Sequence, residues 1–439
     1  MSELYAKPAT LRAATLAEMA ELLKDQQARA LDVVASAGAI SCRGGELLVA
    51  GTEAAIDLNG VTPTAGRYRL SETAEGGIAD KLSIPRSYLR RMREQHLDLY
   101  DINVNAWLKR SDAKYLVRLL RSDACEVCLG ERRVMDPNDH DRWTHCPQCD
   151  GQDPADGIVR AFLSNGYRII DNFDVLTAAL HGITDAGVHV EIRSADLSEQ
   201  RMYVKVWAPE VAALAPSLLA GYRSPFDGGA VRVGNGGWSV EAARAAAARE
   251  GLGYQPGSEP VLFAGFEFSN SETGGGTFSI SPQIVVQICG NGLTVTAEAA
   301  KKRHVGARMD EGVVEWSAQT QRRNLDLISS QITDAVAKWL SPEFVAAKAA
   351  ELEADAGTPV AEPAETVQVV AKKLAFTERE ADSVLEHFLL GGQRSAGGVM
   401  QAVSSVAQTV EDGDRAAELE AQAIPAMKLA CRPFVGAGR

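Results

Sequence analysis

The chain has 439 residues, 46% of them hydrophobic, and a formal net charge of −13. That is enough apolar material for two or three domains with a full core, and the charge excludes a protein that coats nucleic acid through bulk positive potential. No apolar run of about 18 residues predicts a membrane helix, and the opening residues lack the apolar stretch of a secretory leader.

Leu11, Leu16, Met19, Leu22, Leu23, Leu31 and Val34 recur at roughly helical spacing and predict a helix over 10–36. Short apolar runs at 45–50 and 55–58, between glycine and proline turns, read as strands. Ser71 is placed to cap a helix entering at Glu72, and Pro85 suits the start of a second. The runs Ile102 to Leu108 and Tyr115 to Leu120 read as strands.

Next comes the most specific motif. Cys125 and Cys128, then Cys146 and Cys149, form two Cys-x-x-Cys knuckles separated by 17 residues. Four thiolates at this spacing predict a closed, structural zinc ribbon. Gly130 and Gly151 follow the knuckles and allow the tight backbone turns that aim N–H groups at metal-bound sulfur. His140 and His145 are alternative fourth ligands, and a pair of redox dithiols is the competing reading. The strand-like flanks near Val117 and Val159 predict that the ribbon is an insertion between neighbouring strands. Seven cysteines, four of them in this cluster, point to a reducing compartment, so the expected location is the cytoplasm of a bacterial host.

Beyond the ribbon, Asn172 and Asp174 open a helix, and the runs at 188–192 and 202–207 alternate as a strand pair. Residues 217–257 read as a long glycine- and alanine-rich loop. Two strands, 261–269 and 277–289, flank the turn at Asn270–Gly276. Helical patterns run over 320–340 and 341–353. A proline-punctuated linker and a small helical segment close the chain. The expected class is α+β, with a mixed or antiparallel sheet, helices, an inserted four-cysteine zinc ribbon and a helical C-terminal region. Its expected parts are residues 1–120, the ribbon at 121–157, a main core at 158–355, a linker at 356–376 and the helical end at 377–439.

The segments Val159–Asn172, Phe268–Gly274, Cys289–Leu293, Arg303–Gly306, Gly391–Ser395 and Met400–Gln408, in that order, resemble the phage- and plasmid-borne proteins grouped as domain of unknown function 932. The resemblance covers most of residues 60–425. It implies a mobile-element setting and supplies no catalytic residues.

The strongest basic cluster is Lys301, Lys302, Arg303, His304 and Arg308, followed by Arg322 and Arg323. Cations at this density beside glycine-rich backbone suit phosphate contacts. Arg160 and Arg168 flank Phe162 and Tyr167, an interleaving that can stack bases and hold phosphates. Each pattern has a plain alternative, a solvated charged face for the first and ordinary core aromatics for the second. The helix pair around Ser83–Pro85, with Arg86, Arg90, Arg91 and Arg93, imitates a helix-turn-helix. There is no phosphate loop, dinucleotide fingerprint or H-E-x-x-H, so whether the chain is an enzyme stays open and the balance is against it. The leading expectation is a zinc-containing protein that binds nucleic acid, single-stranded DNA above all, in replication or recombination. The alternative is a protein-interaction or assembly factor of the mobile element whose zinc module is a docking surface for other phage proteins, and a hydrolase or nuclease is the remote third.

Overall fold

The computed structural model describes residues 5–50, 55–57, 60–62, 65–122, 133–136, 139–146, 156–213, 215, 218, 262–276, 278–286, 292–294, 300–302, 312–313 and 318–432. Among these residues lie two seven-stranded sheets, each with its own helices.

The first sheet runs, edge to edge, β18 (Gly312–Val313), β2 (Ala30–Ser36), β8 (Lys114–Arg121), β11 (Gly157–Ser164), β7 (Gly66–Leu70), β4 (Glu46–Val49) and β3 (Ile40–Arg43). Its pairs are antiparallel except β7 with β11, which is parallel. One face is covered by α2 (Glu72–Lys81), α3 (Arg86–Gln95) and α4 (Leu97–Leu108). There Val33, Leu47, Tyr68, Val117 and Phe162 pack against Ile78, Leu89, Tyr100 and Val104. Ser71 caps α2 as the sequence indicates, accepting from the Ala74 amide at 3.1 Å. Gly77 lets α2 lie directly on β11, because a Cβ there would collide with the Phe162 carbonyl oxygen.

The second sheet is antiparallel: β1 (Leu11–Ala14), β12 (Glu191–Leu197), β13 (Met202–Ala213), β14 (Leu262–Asn270), β15 (Phe278–Val286) and β16 (Gly292–Thr294), with β17 (Ala300–Lys302) also on β15. Its apolar core holds Met202, Val204, Val206, Phe266 and Phe268. It is shared with α1 (Leu16–Arg29), α5 (Asn172–Ala186), α6 (Ala318–Trp339), α7 (Pro342–Ala356), α8 (Pro363–Leu374), α9 (Glu378–Gly391), α10 (Ala396–Ala407) and α11 (Gly413–Ala430). Tyr203 and Lys205 alternate with that set and leave the opposite face. They meet α11, where Asp414 accepts from the Tyr203 hydroxyl at 2.7 Å and Glu420 holds the Lys205 ammonium at 2.6 Å. Both small hairpins, β5 (Ala55–Asp57) with β6 (Gly60–Thr62) and β9 (Arg133–Asp136) with β10 (Asp139–His145), stand apart from these sheets. Among the described residues no helix is long and apolar enough to cross a membrane.

The α+β class and the helical C-terminal region are as expected, and four local readings need correction. The helix expected over 10–36 is α1 alone. It starts on a capping box, Thr15 with Glu18, and ends at Arg29, where the chain turns into β2. Leu31 and Val33 face one core and Val34 another, and a strand buried on both faces loses its period of two. Ile102–Leu108 is part of a helix, α4, because Tyr100, Val104 and Leu108 seat it on the core at four-residue spacing. The stretch expected as a linker at 356–376 contains α8, with Pro363 in its first turn and Val367 and Val370 buried. The helical end is no separate unit either, since α8–α11 share the second sheet's apolar cluster.

The flanks of the expected insertion are neighbours. Ile158 pairs with Leu120 in β11–β8, and the Ser122 amide donates to the Asp156 carbonyl at 2.9 Å. The chain therefore leaves and re-enters the sheet at adjacent points. Gly157 sits at the re-entry, where a Cβ would collide with the Leu120 carbonyl oxygen. Of the excursion, the β9–β10 hairpin and Cys146 are described and Cys146 is buried, while Cys125, Cys128 and Cys149 lie outside the described residues. Among the described residues no group of three or more His, Cys, Asp or Glu is placed to hold a metal.

Candidate functional site

Where the two sheets meet, charged side chains from distant parts of the chain converge. Alternation along β8 sends Tyr115, Val117 and Leu119 to the helix-covered face and Leu116 and Arg118 to the other. Arg118 is 2% exposed. Its guanidinium makes a two-pronged contact with Asp32, Nε to Oδ1 at 2.7 Å and Nη2 to Oδ2 at 2.9 Å. Nη2 also donates to Asp171 Oδ1 at 2.7 Å, and Nη1 to the Glu272 carbonyl at 2.9 Å. Arg160 joins through a bulge in β11, at the register shift between Val159 and Ala161. A bulge re-aims a side chain, and Arg160 Nη2 ends 2.5 Å from Glu272 Oε2.

The turn after β14 supplies the other half. Glu272 Oε1 accepts from the Asn172 amide at the start of α5. Asn270 Nδ2 donates to the Ile170 carbonyl and to Asn172 Oδ1, both at 2.9 Å. The Tyr167 hydroxyl donates to the Ser271 carbonyl at 2.8 Å. Two distant segments, Val159–Asn172 and Phe268–Gly274, are thus brought face to face. The electrostatics differ across the cluster. Burial pushes the Asp171 carboxyl up to about 6, against the pull of Arg118. Burial acts the same way on Glu272, but Arg160 and Arg118 outweigh it and hold this carboxyl below the usual range. Burial also disfavours the Arg118 cation, and Asp32, Asp171 and Glu272 more than reverse that. Charges so fully engaged weld two sheets; they are not free to take a ligand.

A cleft of about 790 Å³ opens beside this weld, between α2, the turn after β12, the loop at Thr273–Gly275 and the start of α11. Much of its charged lining is paired or hydrogen-bonded. Arg86 pairs with Asp80 at 2.5 Å, Arg90 with Glu72, and Arg12 with Asp196 at 3.0 Å. Asp414 accepts from Ser198 and Tyr203, both at 2.7 Å. The same pairs answer the helix-turn-helix reading: α2 and α3 do form a helix pair, but Arg86 and Arg90 lie in ion pairs and Arg93 is buried on the Gly45 carbonyl at 2.9 Å.

The residues singled out for nucleic acid scatter. Arg160, expected to meet phosphate, is 7% exposed and held by Glu272, because the β11 bulge turns it into the junction. Arg168 is half-buried. Lys301 and Lys302 lie on β17, in register with Ser279 and Phe278 of β15, and α6, which carries the exposed Arg322 and Arg323, also packs on β15. Arg303, His304 and Arg308 lie outside the described residues.

The sequence reading missed the outer face of α4. Leu99, Ile102 and Trp107 are exposed there by 42%, 61% and 43%, with Ala106 exposed between them. Leu97 and Tyr88 are each exposed by 42% as well. Positions 99, 102 and 106 form a second apolar stripe opposite 100, 104 and 108, and a helix that is apolar on both sides was the available signal. No family model, no curated protein and no solved structure matches this chain.

Proposed function

We propose that the chain works as an assembly factor, docking a protein on the outer face of α4, in the phage or plasmid setting that the resemblance implies. The observation that carries this reading is the stripe Leu99, Ile102 and Ala106, apolar and exposed on a helix whose other side is seated through Tyr100, Val104 and Leu108, with the exposed Trp107 on its flank. Contiguous apolar patches on a protein surface mark interaction sites, and burying one such side chain at an interface stabilises it by roughly 1.5–3 kcal/mol. The cleft supports catalysis less well, since Arg86 and Arg90 are held in ion pairs and Asp414 is held by Ser198 and Tyr203. A photo-crosslinking residue at position 102, in cells carrying the protein, is expected to yield a discrete protein adduct. A probe that captures no protein there overturns the reading.

A second reading, single-stranded nucleic-acid binding, is favoured by one placement: β17 with Lys301 and Lys302, and α6 with Arg322 and Arg323, lie on the same strand, β15. If it holds, affinity falls steeply with salt, and each phosphate contact removed lessens the slope by about 0.7. Salt-independent binding, or none at low salt, removes this reading. We further propose that Cys125, Cys128, Cys146 and Cys149 hold one structural zinc ion, supported by their spacing. Metal analysis of protein purified without chelator is expected to give about one zinc per chain.

A further inference from the structure

We infer that the occupant of the α4 face is α4 of a second copy of this chain, running antiparallel. The inference rests on the docking reading above and names its partner. α4 spans twelve residues, about 18 Å of helix, with Tyr100, Val104 and Leu108 turned inward, Leu99, Ile102 and Ala106 outward and the exposed Trp107 on the flank between them. Charge selects the orientation. Asp98 lies in the first turn, Lys109 caps the C-terminal end, and both are exposed. Eleven residues separate them, about three turns, so they lie within about 20° of each other on the helix wheel, on one flank of the stripe.

A two-fold axis between antiparallel helices sets each flank against its own reverse. Asp98 of one copy then faces Lys109 of the other, twice over. Parallel pairing, whose two-fold axis runs along the helices, turns this flank to the partner's other flank and brings neither Asp98 nor Lys109 opposite an unlike charge. The antiparallel arrangement also aligns the two helix dipoles favourably. Its centre falls between positions 103 and 104, so Ile102 of each copy lies over the small Ala106 of the other, and Leu99 lies beside that contact. Big side chains thus oppose small ones. A face of this length is smaller than a standard interface of about 1,600 Å², so the association is expected to depend on concentration.

The test is sedimentation of the purified full chain over a concentration series at low salt. The expected result is a mass rising from one copy to two. Asp98→Lys and Lys109→Asp are each expected to weaken association about tenfold, because each sets like charges across the pair. An equimolar mixture of these two variants is expected to recover it, since the lysine introduced in one copy then meets the aspartate introduced in the other. Ile102→Glu is expected to abolish association with an unchanged melting temperature, which separates lost docking from lost folding. A chain that stays single at the highest concentration overturns the inference, as does association that survives Ile102→Glu or a mixture that does not recover. If the chain stays single while the probe at position 102 still captures a different protein, self-pairing falls and the docking reading stands; if the probe captures nothing, both fall.

Discussion

Five charged side chains meet below the surface at the junction of the two sheets, while Leu99, Ile102 and Trp107 stand in solvent on α4. Both places invert the usual partition of polar and apolar groups, and they do so for opposite reasons. Arg118, Arg160, Asp32, Asp171 and Glu272 come from four stretches of chain and complete one another. The α4 stripe is one short stretch, and its neighbours all lie on the helix's other side. Position follows the partner rather than the residue type: a charge can be interior once its counter-charges are delivered by the fold, and an isoleucine can be exterior when the fold delivers nothing to cover it.

The sharpest way to break the comparison is at Arg118. Arg118→Met leaves Asp32, Asp171 and Glu272 facing one another with one cation fewer, and is expected to cost about 3–5 kcal/mol. Urea unfolding should show a lower midpoint with an unchanged slope. A loss below about 1 kcal/mol would mean that the cluster does not hold the sheets together. Arg118→Lys keeps the charge but not the two-pronged geometry, and should fall between.

A smaller effect tests the uneven electrostatics of the same cluster. Asp171 is raised to about 6 when folded, above its unfolded value of about 3.9. Its contribution is therefore full below about pH 4 and lost as pH rises through about 6. Glu272, held low, contributes in the opposite sense, with stability present at neutral pH and lost as pH falls through its lowered value. Asp171→Asn should flatten the limb between pH 4 and 7 and leave the acid limb in place. Asp171 keeps 25% of its side chain exposed, so solvent tempers the effect. Unfolding measured from pH 3 to 8 decides it, and an unchanged upper limb in the variant would show that another group titrates there.

The smallest expected effect is on the other side of the comparison. Ile102→Glu should change the stability of the single chain by no more than about 0.5 kcal/mol, the range for surface substitutions. A loss of about 2 kcal/mol or more would place Ile102 inside a core and end the contrast with Arg118.

Much of this arrangement could be read from the residues, and the exceptions share a cause. β8, β14 and β15, α5, α6 and α7, and the pairing of β8 with β11 were legible because their patterns are local and regular. α4 was read as a strand because Ile102-Asn-Val-Asn-Ala-Trp-Leu alternates and holds β-branched residues, while the four-residue spacing that seats it begins earlier, at Tyr100. Local pattern and tertiary seating disagreed, and the seating prevailed. α8 hid behind Pro363, which opens a helix as readily as it breaks one. The junction was legible only as two marked segments. That Arg160 faces Glu272, 112 residues away, follows from a bulge that no spacing announces. Arg160 and Arg93 are likewise turned inward by the fold, which nearness to other basic residues along the chain does not announce.

The stitch at Ser122 and Asp156 reaches into the history of the molecule. Because Leu120 and Ile158 are already partners and Gly157 alone fits the return, the sheet places a condition on the two ends of the excursion and none on its contents. Recombination could exchange everything between those ends for a stretch of another length or chemistry without the host fold having to change. The open end of the β8–β11 pair is in that sense a port, at which a lineage of such proteins could gain or shed a cargo in one event.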